Sequence, residues 1–162
     1  MKKKKLHKTN AIRILEKEEI AYDVHEYPWS EDHLDAITVA EKVAMPMEKI
    51  YKTLITKGDK TGITVACIPA NHTLDLKAFA KVSGNKKLEM LPMKELELTT
   101  GYIRGGCSPI GMKKSFPTYI ANIAQSMETV IVSAGKRGMQ VELTPGDLQK
   151  VTDAVFSDFT IE

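Results

Sequence analysis

The sequence predicts an α+β fold built on a mixed, largely antiparallel sheet, and three observations lead there. Strand-like and helix-like segments alternate irregularly along the chain. Two pairs of strand-like segments are separated by short glycine-bearing turns and read as hairpins, where a parallel βαβ fold would place helices. The chain has 162 residues, 43% hydrophobic and 27% charged, which suits one soluble domain spanning residues 1–162.

Taken in order, Ala11, Ile12, Ile14 and Leu15 follow Thr9 and Asn10, either of which can cap a helix running to about Glu19. Tyr22, Val24 and Glu26 alternate like a short strand that Pro28 ends. A polar loop from Trp29 to Asp35 follows, and Thr38 with Glu41 has the capping-box spacing of a helix start, with Pro46 closing that helix or opening another turn. Tyr51 to Thr56 and Ile63 to Pro69 form the first hairpin around Gly58, Asp59 and Gly62. Asp75 to Val82 reads as a helix stopped by Ser83 and Gly84, and Pro92 opens another through Leu98. Gly101, Gly105, Gly106, Pro109 and Gly111 then force tight turns or a close approach. Thr129 to Ser133 and Met139 to Leu143 are the second hairpin, turned between Gly135 and Gly138. Thr144, Pro145 and Asp147 start a last helix over Asp147 to Val151.

Composition narrows the function classes. The longest apolar runs, Val65 to Pro69 and Thr129 to Ala134, fall far short of the roughly 20 residues of a membrane span. Lys2 to Lys5 are followed by His7, Lys8, Thr9 and Asn10 where a signal peptide needs an apolar stretch, so the cytoplasm is the expected compartment. Cys67 and Cys107 are the two cysteines and read as reduced thiols. A net charge of +2 does not suggest a uniformly basic face. Lys2 to Lys5 with Lys8, Lys86 with Lys87, Lys113 with Lys114, and Lys136 with Arg137 are separate basic spots, either solvated lysines or the lining of a phosphate-bearing ligand. His7, His25, His33 and His72 make no metal spacing with each other or with the cysteines, so no metal and no cofactor is expected.

Three segments could carry chemistry. Lys52 shares a strand face with Leu54 and Thr56, which means either a solvated sheet edge or an ammonium entering a pocket. The run Gly101-Tyr-Ile-Arg-Gly-Gly-Cys-Ser-Pro-Ile-Gly111 leaves backbone N–H groups bare at Gly105 and Gly106, either for turning or for stabilising an ester oxygen. Cys107 and Ser108 are conceivable nucleophiles there, but neither sits in a nucleophile elbow and no histidine is near in sequence. Ser133-Ala-Gly-Lys-Arg-Gly138 puts a strand-end hydroxyl beside a basic turn, suited to a small polar group or to a plain hairpin. Trp29 could stack on a nucleobase or cover local core.

Together, Tyr51-Lys-Thr-Leu54, the 101–111 glycine run followed by Lys113-Lys114, and the 133–138 turn resemble in order and separation the motif set of the YbaK/EbsC family of free-standing editing proteins. The likeness extends from Thr9-Asn-Ala-Ile to Thr144-Pro-Gly-Asp-Leu148. It implies a barrel-like sheet flanked by helices, related to the editing domain inserted in bacterial prolyl-tRNA synthetases. It also implies hydrolysis of cysteine from proline transfer RNA, a charging error that follows from the similar size of cysteine and proline. By this resemblance Lys52 is the substrate-holding cation, and Gly105 and Gly106 bind the carbonyl and ribose through their backbone. Tyr27, Ser108, Ser133, Gly135 and Gln140 bind substrate. The implied mechanism is substrate-assisted, the cysteine thiol attacking its own ester. The implied partners are the 3′ end of an aminoacyl-tRNA and, as a candidate, prolyl-tRNA synthetase. Gln140 stands where some members carry an acidic residue. A non-catalytic module that binds aminoacyl-tRNA or a synthetase, and a deacylase for another small amino acid such as alanine or serine, are the alternatives.

Overall fold

The computed structural model describes residues 8–27 and 46–162. The expected helix start at Thr38, the loop carrying Trp29, and Lys2 to Lys5 lie outside the described residues.

Helix α1 spans Asn10–Lys17, and of its two candidate caps it is Thr9 that accepts from the Ile12 N–H. Its Ala11, Ile12 and Leu15 are fully buried. Burying Ile12 and Leu15 contributes about 2 kcal/mol each. Strand β1, Asp23–Glu26, leads to Tyr27, and the chain is next described at a 3₁₀ turn, Met47–Lys49, that feeds β2. Strands β2 (Tyr51–Gly58) and β3 (Gly62–Pro69) pair antiparallel through the whole expected hairpin, Gly58 opposite Gly62. Asn85 Oδ1 accepts from the Lys60 and Thr61 N–H groups and ties down the hairpin turn.

Short β4 (Thr73–Leu74) precedes α2, Leu76–Ser83, which Asp75 caps at one end and left-handed Gly84 closes at the other. Strand β5 (Leu88–Met90) follows, then α3, Met93–Thr100, which runs two residues past the expected Leu98 until Gly101 turns left-handed. Strand β6, Thr118–Ala121, lies after the glycine run. The second expected hairpin is β7 (Val130–Lys136) with β8 (Met139–Leu143), its register shifted between Ser133 and Lys136. Helix α4, Pro145–Thr152, is capped by Thr144, and β9 (Val155–Ser157) and β10 (Thr160–Ile161) finish the chain.

The strands form three sheets among the described residues, in the orders β1-β8-β7, β5-β2-β3-β6-β9 and β10-β4. The mixed character expected from the sequence is present: β3–β6 and β6–β9 are parallel and the other ladders antiparallel. The parallel neighbours follow from long crossovers, since the chain passes through α2, β5 and α3 before β6. The barrel-like expectation holds only loosely, because the sheets do not close among the described residues. An isolated parallel bridge, Ile50 to Ile131, links the residue before β2 to β7, and β2 itself pairs with β3 and has no ladder to β7. The ladder to β5 begins only at Thr56, so residues 51–54 are paired on the β3 side alone. No described helix is long and apolar enough to cross a membrane.

Candidate active site

The gap beside β2 holds a cavity of about 270 Å³, at the small end of the range for ligand pockets. Consecutive residues from Ile50 to Ile55 border it, as expected where a strand runs along a cavity with its unpaired edge. The two readings of Lys52 therefore merge: its strand has a local edge, and that edge meets a cavity. Lys52 is half-buried on the wall, burial lowers its ammonium pKa, and none of the ion pairs among the described residues involves it.

Four of the other expected residues share this wall. Tyr27 is pinned when its N–H donates to Gly138 O (2.9 Å), and burial pushes its phenol up. Gly105, at φ +83° and without a side chain, borders the cavity with its main chain. Ser133 and Gln140 sit opposite each other in the β7–β8 ladder, so their side chains emerge on one face. Ser133 Oγ accepts from the Gly135 N–H (3.1 Å) and keeps its own proton to donate. Gln140 is 6% exposed and its Oε1 has no partner among the described residues, an uncompensated acceptor beside an open volume.

Gly106, Ser108 and Gly135 are not on the wall. The Gly106 N–H donates to Ile103 O (2.9 Å), so it closes a turn and is not bare. Its Cα packs so tightly on the hairpin turn that a Cβ would lie 2.9 Å from Arg137 N and 3.0 Å from the Lys136 carbonyl carbon. Ser108 is fully buried and its Oγ accepts from the Ile110 N–H (3.2 Å). Gly135, at φ +94°, lies under the Tyr102 ring, whose hydroxyl donates to Ile110 O (2.7 Å). Arg137 Nε donates to Arg104 O (2.8 Å), completing the seam. The two glycine motifs are thus packed on each other, and this contact sets where Gly105 and Ser133 stand.

Sequence reasoning passed over other wall residues. Tyr51 and Thr53 border the cavity, and their buried hydroxyls have no oxygen or nitrogen partner among the described residues. Thr53 lies beside the Cys67 thiol, which complete burial pushes up to about 12. Met90, Leu91, Met93 and Leu96 make one side apolar, and Arg104 reaches the rim. The signal was faint: Met90 and Met93 fall in segments too short for a periodicity, and the orphaned hydroxyls become visible only after packing. Cys107 does line the cavity, but burial raises its thiol to about 11, so it is a protonated small apolar group at neutral pH. With Ser108 buried and hydrogen-bonded, neither conceivable nucleophile is activated. No histidine or carboxylate of the described residues borders the cavity, and no cluster of metal-ligating side chains occurs among them.

The family profile described as the aminoacyl-tRNA editing domain matches residues 31–151. A protein of Enterococcus faecalis named "Putative Cys-tRNA(Pro)/Cys-tRNA(Cys) deacylase EbsC" is 57% identical over 159 residues, covering 98% of this chain and 97% of its own. Among solved structures, a "putative trans-editing enzyme for prolyl tRNA synthetase" superposes with a TM-score of 0.82 at 23% identity, covering 94% of this chain and 96% of that one. A hypothetical protein superposes with a TM-score of 0.85 at 20% identity, covering 94% and 100%. These two likenesses concern the fold. The profile match over most of the chain and the identity along nearly all of it mean that the chain belongs to the family of aminoacyl-tRNA editing domains, as its resemblance to the YbaK/EbsC group implied.

Proposed function

We propose that the cavity receives the 3′ aminoacyl end of a proline transfer RNA wrongly charged with cysteine and frees the amino acid. One observation carries this reading. Lys52, the open main chain of Gly105 and the Ser133–Gln140 pair share a small cavity in which no described histidine, carboxylate or ionised thiol is available as a base or nucleophile. Such a wall can orient an ester and stabilise charge on its carbonyl oxygen, with the nucleophile left to the substrate. The esterified cysteine's thiol attacks its own carbonyl carbon, and the carbon–oxygen bond to the ribose breaks. The thiol proton ends on the ribose hydroxyl, leaving a four-membered thiolactone that water opens. Lys52 and the Gly105 main chain hold the carbonyl and ribose, Tyr27 and Ser133 bound the aminoacyl group, and the Gln140 carbonyl accepts from the α-ammonium. Gly106, Ser108 and Gly135 act one layer back by fixing the loops. The family relation and the name of the Enterococcus faecalis relative support the same substrate. Prolyl-tRNA synthetase, where the mischarged substrate arises, is the partner this reading implies, and the cytoplasm the compartment.

The test compares cysteinyl, alanyl and prolyl esters on one transfer RNA. We expect loss of the cysteinyl ester alone, with a large fall in rate in Lys52→Ala. Hydrolysis no faster than in buffer, or full activity in Lys52→Ala, would sink the proposal. Tight binding of a non-hydrolysable cysteinyl-adenosine analogue without turnover would identify a binding module instead. Turnover of the alanyl ester would rule out a thiol-dependent route.

A further inference from the structure

Outside the cavity, a single carboxylate ties together four segments. The Nε2 of His25 on β1 lies 2.8 Å from Glu142 Oε1, and Lys49 Nζ from the 3₁₀ turn lies 3.0 Å from Oε2. The Thr129 hydroxyl, just before β7, donates to the same Oε2. Each partner stands a few residues from a wall residue: His25 from Tyr27, Lys49 from Lys52, Thr129 from Ser133, and Glu142 itself from Gln140. The register puts His25 and Ser133 both opposite Gln140, so these side chains share a face. Glu142, two residues on from Gln140, projects from that same face directly behind the cavity row.

The connection matters because β2 packs on the sheet β1-β8-β7 through apolar contacts such as those of Tyr51 and Ile55 in the shared core, with no hydrogen-bonded ladder to fix its register. Among the described residues that sheet meets the lead-in to β2 through the bridge from Ile50 to Ile131, with no ladder beyond it. The Lys49–Glu142 pair fastens the same point from the next residue. The Glu142 side chain is 12% exposed, so the pair is screened less than a surface ion pair.

We propose that Glu142 is a positioning residue for the deacylation: it locks β1, β8 and the lead-ins to β2 and β7 in one arrangement, so that Tyr27, Lys52, Ser133 and Gln140 meet at the cavity. This rests on the functional reading given above for that cavity. Burial raises the Glu142 carboxyl, but hydrogen bonds from Thr129, His25 and Lys49 outweigh it and hold the group down at about 2, so the lock is charged at every pH near neutrality.

The experiment uses the full chain with Glu142→Gln, Lys49→Met, their double variant and Lys49→Arg. Because misplacement of a catalytic group by about 1 Å costs on the order of 100-fold, kcat on Cys-tRNA(Pro) should fall about 10- to 100-fold in either single variant with KM little changed. The double variant should be no worse than the singles, and Lys49→Arg should keep most of the rate. A second measurement needs no substrate: the Lys52 ammonium titration, followed by NMR with carbon-labelled lysine, should move toward the ordinary lysine value in Glu142→Gln as β2 loosens and water enters. A lowered Tm with kcat and the Lys52 titration both unchanged would reduce Glu142 to a structural group and overturn the proposal. If the wild-type protein hydrolyses no Cys-tRNA(Pro), the functional reading falls, and the Lys52 titration alone decides the positioning role.

Discussion

Replacing Gly106 by alanine separates two explanations of the glycine run, bare amides for a ligand or close packing of loops. The new methyl would sit 2.9 Å from Arg137 N, 3.0 Å from the Lys136 carbonyl carbon and 3.2 Å from Lys136 Cα, where ordinary contact begins at 3.4 Å. All three are backbone atoms, so no side chain can rotate away, and one motif must retreat from the other by roughly half an ångström. Overpacking of this kind costs about 1–3 kcal/mol. For a domain of this size that lowers Tm by roughly 2–4 °C per kcal/mol, hence by about 2–12 °C. Gly105 moves with the loop, and scaling from about 100-fold per 1 Å of misplacement gives a loss of activity on the order of tenfold. The assays are thermal unfolding followed by circular dichroism and deacylation of Cys-tRNA(Pro) well below Tm. Gly146→Ala is the control, because a Cβ there meets nothing within 4 Å. If Gly106→Ala matches this control in both Tm and rate, the packing argument is wrong.

Three other outcomes follow from the same physical reading. Thr9→Ala removes the cap of α1 and the buried bond from its hydroxyl to Ala134 O, and should cost about 1–2 kcal/mol in denaturant unfolding; a change within error would refute the cap. Cys107, pushed up to about 11, and Cys67, up to about 12, should react with iodoacetamide at pH 8 about two and about three orders of magnitude more slowly than free cysteine, respectively, and rapid labelling of the folded protein would contradict the burial of both thiols. Glu142 has its carboxyl depressed from 4.5 to about 2, so the stability it supplies is fully present above pH 4.5 and lost as pH falls toward 2. A depression of that size corresponds to at most about 3 kcal/mol, and unfolding measured from pH 5 to pH 2 should be less acid-sensitive in Glu142→Gln than in the wild type.

What the sequence determined by itself is what short-range chemistry encodes. Helix starts near Thr9 or Asn10, at Asp75 and at Thr144 were legible because a side-chain oxygen there can satisfy a free N–H whatever surrounds it, and the structure makes Thr9, Asp75 and Thr144 the caps. Both hairpins were legible from period-two patterns and turn glycines, and the motifs around Lys52, Gly105 and Ser133 carried the family likeness. Tertiary structure alone decided the rest. Whether the Lys52 strand had an edge or a pocket depended on where the ladder to β5 begins and on β2 and β7 standing in separate sheets. Strands β6 and β9 are short and took their parallel places from neighbours distant in sequence. That the Gly106 amide closes a turn, that Tyr51 and Thr53 border the cavity, and that Glu142 meets Lys49 from 93 residues away are all matters of long-range register. Register of that kind is set by how the core packs and how loops close, and no local pattern of residues records it.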